Sequence, residues 1–169
     1  MDIDLHTSRL HIRKLQMADF QAYYDLVSHP EIQQGAGFGL MSNPAMIEEL
    51  LKRQIKAPGS LAIELNGKLI GAILLLAKVG FDGLPDPNQI EVSYFLAPHF
   101  WHQGIMTEAC LTVINDLKYR RKIHKITAEV FANNVNSIAL LKRLDFIPVT
   151  KLIDPIVGKP KIVFEYQLE

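Results

Sequence analysis

Apolar and polar residues alternate along Arg9-Leu10-His11-Ile12-Arg13-Lys14-Leu15, the period-two pattern of a strand with one buried face. The period then lengthens: Phe20, Tyr23, Tyr24 and Val27 recur at helical spacing. This predicts a first amphipathic helix that ends at His29-Pro30, because the residue before a proline is steered out of the helical region. Gly35, Gly37 and Gly39 read as a loop that shapes a substrate site. They follow no strand and open no helix, so they do not make a dinucleotide fingerprint. Asn43-Pro44 supplies an N-cap and a proline at the first helical position, and Ile47, Leu50, Leu51 and Gln54 carry a second helix to about Lys56.

Residues 60–65 and 68–78 flank Asn66-Gly67, the favoured two-residue hairpin turn. Residues 80–88, with two glycines and two prolines, read as loop. A strand follows over 89–96, with Ile90, Val92, Tyr94 and Leu96 on one face and Glu91, Ser93 and Phe95 on the other. The next helix runs to about Lys118 and carries the stripe Met106, Ala109, Cys110, Val113 and Leu117. A strand over 125–131, a helix after Asn134, and two strands near 146–152 and 162–168 complete the chain. Pro155, Gly158 and Pro160 fall in the last loop. Hairpins early and strand–helix alternation late predict one α/β (α+β) domain over residues 1–169, a mixed sandwich with a mostly antiparallel sheet.

Two segments carry chemistry. Phe100-Trp101-His102-Gln103-Gly104-Ile105-Met106-Thr107-Glu108-Ala109 joins a strand to a helix through a glycine turn. Backbone N–H groups at a helix start lack intrahelical partners, and the helix dipole adds positive potential, so such a turn suits a phosphate. The second segment, Asn133-Asn134-Val135-Asn136-Ser137 through Lys142-Arg143-Leu144-Asp145-Phe146, follows the next strand. Together they resemble the GNAT superfamily of N-acetyltransferases, in the branch that includes ribosomal-protein N-terminal (Rim-type) and small-amine acetyltransferases. Members of that branch commonly read Phe-Trp-Gly-x-Gly-x-Ala-Thr-Glu-Ala, then Asn-x-x-Ser and Lys-x-Gly-Phe. Three positions depart from the pattern: His102 replaces a glycine, Met106 a small residue, and Asp145 the glycine before Phe146. The first two put side chains where backbone and cofactor usually meet; the third puts aspartate where a left-handed residue is often needed.

The resemblance implies a GNAT-like sheet of six to seven strands flanked by about four helices, with acetyl-CoA as acyl donor. Its pyrophosphate would lie on the amides of His102, Gln103, Gly104, Ile105, Met106 and Thr107, and its pantetheine arm would pair with backbone near Phe95, Leu96 and Ala97. Trp101 would pack beside it, though a lone aromatic before a helix is equally a core residue. Asn134 would hydrogen-bond the pantetheine, although helix capping alone accounts for it. Lys142, which opens the Lys-x-Leu-x-Phe stretch of the second segment, joins the cofactor-binding set. Ser137 would hydrogen-bond the leaving thiolate or supply it a proton, since Leu140 and Leu141 occupy the stretch where many members have a tyrosine. Glu91 is the candidate base for an amine acceptor, against the alternative of a solvated strand glutamate. Glu108 would complement the helix dipole and hold the loop. The departures keep a second reading open, an acyl-CoA-binding module impaired in catalysis. Homodimerisation through a sheet edge or the terminal hairpin is compatible with the family.

Composition narrows the rest. The 18 basic and 18 acidic residues cancel, so no global field concentrates nucleic acid or anionic membrane. The basic run at Lys118, Arg120, Arg121, Lys122 and Lys125 reads as a solvated helix end. One cysteine excludes an internal disulfide; Cys110, on an apolar stripe, reads as a buried, inert thiol. No Cys/His spacing suggests zinc, and no metal is expected. No targeting or membrane-spanning segment is recognisable, so cytoplasmic residence is the default. The acceptor could be a small-molecule amine or a protein N-terminus, and no motif chooses between them.

Overall fold

The computed structural model describes residues 3–36, 43–80, 82–120 and 122–168. Among these, the strands are β1 (Leu5–His6), β2 (Leu10–Lys14), β3 (Ser60–Leu65), β4 (Lys68–Val79), β5 (Pro85–Leu96), β6 (Lys125–Phe131), β7 (Ile147–Ile153) and β8 (Pro160–Gln167). The α-helices are α1 (Phe20–Val27), α2 (Pro30–Ala36), α3 (Pro44–Lys56), α4 (Ile105–Arg120) and α5 (Val135–Arg143). The sheet has eight strands in the order β1-β2-β3-β4-β5-β6-β8-β7. The β5–β6 pair is parallel; β1–β2, β2–β3, β3–β4, β6–β8 and β7–β8 are antiparallel.

The mixed, mostly antiparallel architecture is the expected one, with one strand and one helix more. The added strand is the two-residue β1. The added helix is α2, because Pro30 starts a helix as well as ending one: its missing N–H costs nothing at a first helical turn. Gly35 therefore lies in α2 and not in a loop. Gly37 and Gly39 lie outside the described residues. β5 also starts earlier than residue 89. The Gly80 N–H donates to the Leu84 carbonyl at 2.8 Å and the Gly83 N–H to the Gly80 carbonyl at 3.1 Å, closing the turn by Leu84. Pro85 and Pro87 then sit near the beginning of the strand, where a missing N–H is tolerated.

The chain clusters into two compact units, through both of which β4, β5 and α4 run. The first comprises Met1–Leu74 and Tyr94–Ala109. Its core gathers Tyr23, Leu26 and Val27 of α1, Ile47 and Leu51 of α3, Ala62, Ala72, Leu74 and Phe95. Tyr23 is fully buried and its hydroxyl donates to Gln54 Oε1 at 2.8 Å; burial pushes the phenol up from its usual range. Arg13 forks onto both oxygens of the buried Asp19 at 2.8 and 2.9 Å and gives its Nε to Glu64 at 2.8 Å. The hairpin turn is the expected one, with Asn66 at φ 51° and Gly67 at φ 76°. A Cβ at Gly71 would sit 2.6 Å from the Phe95 carbonyl oxygen, so only glycine lets β4 pass the end of β5.

The second unit comprises Leu75–Ser93 and Cys110–Glu169. Ile126, Ala128 and Phe164 from β6 and β8 are buried there, as are Val113 and Leu117 of α4 and Leu140 and Leu141 of α5. α5 ends in a Schellman motif: the Phe146 N–H donates to the Leu141 carbonyl at 3.0 Å and the Asp145 N–H to the Lys142 carbonyl at 3.2 Å. Asp145 holds the left-handed position, at φ 63°, that the sequence pattern assigns to glycine.

Candidate functional site

The first unit contains the phosphate-type turn. After the 3-10 turn Pro98–Phe100, the backbone turns left-handed at His102, φ 59°, and again at Gly104, φ 74°. α4 then begins at Ile105, and its hydrogen-bond ladder opens with the Glu108 N–H on the Gly104 carbonyl at 3.0 Å. His102 thus adopts the conformation that glycine would supply, with its side chain exposed. Met106 turns inward and is 9% exposed, so its bulk is spent in the core and not on the turn. A Cβ built on Gly104 would meet only Arg9 Nη2, at 3.8 Å, so the space over this helix start is open with a guanidinium at its edge.

That guanidinium fixes the turn. Arg9 Nε and Nη2 donate to Glu108 Oε2 at 2.8 and 2.6 Å, and Nη1 donates to the Gln103 carbonyl at 3.1 Å. The Thr7 hydroxyl donates to Glu108 Oε1 at 2.5 Å, and the Gln103 side chain to the His99 carbonyl at 2.9 Å. The Thr7 hydrogen bond first, then Arg9, holds the Glu108 carboxyl below its usual range. Glu108 therefore holds the loop, as its place in the first helical turn suggests. Arg9 and Thr7 were absent from the sequence-derived site because nothing in their local pattern shows a partner on a distant helix.

The end of β5 lies in the same unit. Phe95 and Leu96 are buried, the Leu96 carbonyl accepts from Trp101 Nε1 at 2.7 Å, and the Ala97 N–H donates to the Ile70 carbonyl at 2.8 Å. Trp101 is half-buried against the core of this unit, so it serves packing while standing beside the turn. Two of the backbone groups proposed for pantetheine pairing are thus already engaged.

Glu91, Asn134, Ser137 and Lys142 belong to the second unit. The parallel ladder there pairs Gln89 with Lys125, Ile90 with Ile126 and Glu91 with Thr127, while β6 continues with β8 to Phe131. Glu91 is half-buried and accepts from Lys78 Nζ at 2.8 Å; the same ammonium reaches Glu129 at 3.2 Å. Burial works against the Lys78 charge, but Glu91 and then Glu129 outweigh it and raise its pKa. Asn134 caps α5, its Oδ1 accepting the Ser137 N–H at 3.1 Å. Ser137 is half-buried in the first turn of α5, and Lys142 is exposed in the last. Cys110 is 4% exposed and its thiol is pushed up to about 12 by burial, which makes it the inert core residue anticipated.

The likenesses to known proteins agree with this anatomy. An uncharacterized N-acetyltransferase p20 of Bacillus licheniformis is 23% identical over 168 residues, which cover 96% of this chain and 92% of that protein. The structure of RimL, a ribosomal-protein α-N-acetyltransferase in complex with coenzyme A, superposes with a TM-score of 0.84 at 14% identity, covering 99% of this chain and 98% of that one. The spermidine N-acetyltransferase of Vibrio cholerae, in complex with CoA and spermine, gives 0.80 at 17% identity, covering 96% and 97%. At these identities the structural likenesses establish the fold. The family itself follows from the acetyltransferase (GNAT) domain model, which matches residues 9–147, from the arginine that grips the turn to the first residue of β7, and the chain therefore belongs to the GNAT acetyltransferases.

Proposed function

We propose that this GNAT protein works as one acetyltransferase-like domain, transferring the acetyl group of acetyl-CoA directly to a primary amine on a small molecule or a protein N-terminus. The observation that carries this reading is the turn at His102 and Gly104: two left-handed residues, and above Gly104 a space in which a built Cβ would meet only Arg9 Nη2, at 3.8 Å. Such a cradle fits a pyrophosphate, which would bind the amides of residues 102–107 with Arg9 supplying positive charge. Acetyl-CoA supplies an acetyl group already activated as a thioester.

The chain's residues divide the remaining work. A β5 N–H ahead of Ala97 polarises the thioester carbonyl, an oxyanion-hole role for preorganised backbone. Asn134 donates its amino end to the pantetheine, with Trp101 and Lys142 as further donor-side contacts. Glu91 accepts the acceptor ammonium's first proton, directly or through water; after attack the nitrogen gives up its second, and Ser137 hydrogen-bonds the departing sulfur or passes it a proton, the serine being reprotonated by the one the nitrogen releases. The two acceptor classes are those named for the structural relatives: spermidine for one, a ribosomal-protein N-terminus for the other. We place the reaction in the cytoplasm, where acetyl-CoA is produced; no described helix is long and apolar enough to cross a membrane. A homodimer would draw on β7, last in the sheet order, whose Ile147, Val149 and Ile153 are exposed. Light scattering checks it.

One observation favours the second reading, an acyl-CoA-binding module with impaired catalysis: Lys78 occupies the carboxylate that would act as base. Titration calorimetry with acetyl-CoA, with dephospho-CoA and ATP as controls, followed by turnover on spermidine and on a peptide with a free N-terminus, separates the readings. Selective binding with turnover supports the enzyme. Selective binding without turnover on a broad amine panel supports the module, and absence of binding overturns both.

A further inference from the structure

The β1–β2 hairpin carries a cluster that the acetyl-transfer reading leaves unused. His6 and His11 are directly opposite across the strands, and Glu64 is opposite His11 on β3. The two imidazoles stack with centroids 4.2 Å apart and planes 9° from parallel. Asp4 Oδ1 lies 2.5 Å from His11 Nε2 and 3.9 Å from His6 Nε2. One ligand atom from each of Asp4, His6 and His11 falls within 4.8 Å of the others.

We infer that Asp4, His6 and His11 bind a divalent transition-metal ion of the zinc type on this hairpin. Two imidazoles and one carboxylate suit a borderline-soft cation and not magnesium or calcium, which prefer oxygen. In the metal-free form, His11 Nε2 and Asp4 Oδ1 are hydrogen-bonded at 2.5 Å; the ion displaces that contact, and water takes the fourth tetrahedral position. The side chains are 68% exposed for His6, 70% for Asp4 and 29% for His11, which leaves them room to turn toward one ion held at about 2.0–2.2 Å.

The surroundings are arranged for it. His11 Nδ1 faces Glu64 Oε1 at 3.7 Å, and the other Glu64 oxygen is fixed by Arg13 Nε at 2.8 Å. A carboxylate thus stands near the outer nitrogen of His11, from where it favours a ring whose Nε2 faces the ion. Sequence spacing could not reveal the site, because register across two strands and not a linear motif unites its ligands. An ion here would also clamp the hairpin whose turn supplies Thr7 and Arg9 to Glu108.

The test is titration of tag-free, chelator-stripped protein with Zn²⁺ by calorimetry, with Co²⁺ absorption as a second readout of the ligand field. Expected are one saturable equivalent, at least a tenfold loss of affinity in H6A and in H11A, and no change in H29A. Circular dichroism establishes that the variants fold; H6N with H11N replaces any that does not. No saturable binding, or binding indifferent to His6 and His11, overturns the site.

Discussion

Arg9 and Glu108 stand 99 residues apart in sequence, yet two guanidinium nitrogens of one share a single carboxylate oxygen of the other, at 2.8 and 2.6 Å. The third Arg9 nitrogen holds the Gln103 carbonyl, so one side chain fixes both the turn and the first turn of α4. Arg9→Lys keeps the charge but cannot reproduce the fork. The pair is partly exposed, so its loss costs about 1 kcal/mol, read as a several-fold rise in KM for acetyl-CoA with little change in kcat. Steady-state kinetics measure it; an unchanged KM removes Arg9 from the donor site.

His102 and Gly104 make opposite predictions at neighbouring left-handed positions. His102→Gly relieves a backbone penalty of about 1 kcal/mol, so the unfolding midpoint rises while acetyl-CoA affinity holds. Gly104→Val adds that penalty and places a branched side chain where phosphate would approach; the midpoint falls and binding is lost. Calorimetry on the folded variant at low temperature separates the two effects, and retained affinity in Gly104→Val excludes the turn as the phosphate site.

Asp145 offers a test of the same physics away from the turn. Its left-handed C′ position, φ 63°, favours glycine. Asp145→Gly therefore raises stability by about 0.5–1 kcal/mol in denaturant unfolding without altering kinetics.

Glu91→Gln keeps the size of the side chain but removes the proposed base. Turnover falls by roughly a hundredfold while acetyl-CoA affinity is nearly unchanged, and the deficit narrows at high pH as the acceptor amine deprotonates unaided. A parallel pH–rate profile for both proteins would mean that the ion pair with Lys78 is all Glu91 does.

The β7–β8 turn predicts the acid limb of stability. Lys161 at 2.6 Å, then the N–H groups of Val157 and Ile156, hold the Asp154 carboxyl at about 2, below its ordinary 3.8. A carboxyl lowered in the folded state stabilises above its unfolded value and loses that contribution as pH falls toward the folded one. Asp154→Asn is thus destabilising at neutral pH, and its difference from the parent shrinks between about pH 4 and pH 2, as urea unfolding across that window would show.

What the sequence revealed was local. Asn66-Gly67, Asn43-Pro44 and Asn134 each act through their own backbone within a few residues, so their roles show in a short window. The turn at residues 102–107 was legible for the same reason, and the family pattern drew attention to it. Features set by distant partners were not. Arg9 looked like one polar position of an alternating strand, Glu91 gave no sign of Lys78, and His6 and His11 were separated by a turn that stacks them. Pro30 misled because a proline that ends one helix is equally able to begin the next.

The indole of Trp101, anchored on the Leu96 carbonyl, is the protein's sole tryptophan and directly precedes His102. All indole emission therefore originates at the doorway of the turn. The molecule carries its own optical reporter: occupancy of this one corner can be followed without a label, and its loosening can be timed separately from global unfolding by comparing tryptophan emission with backbone dichroism.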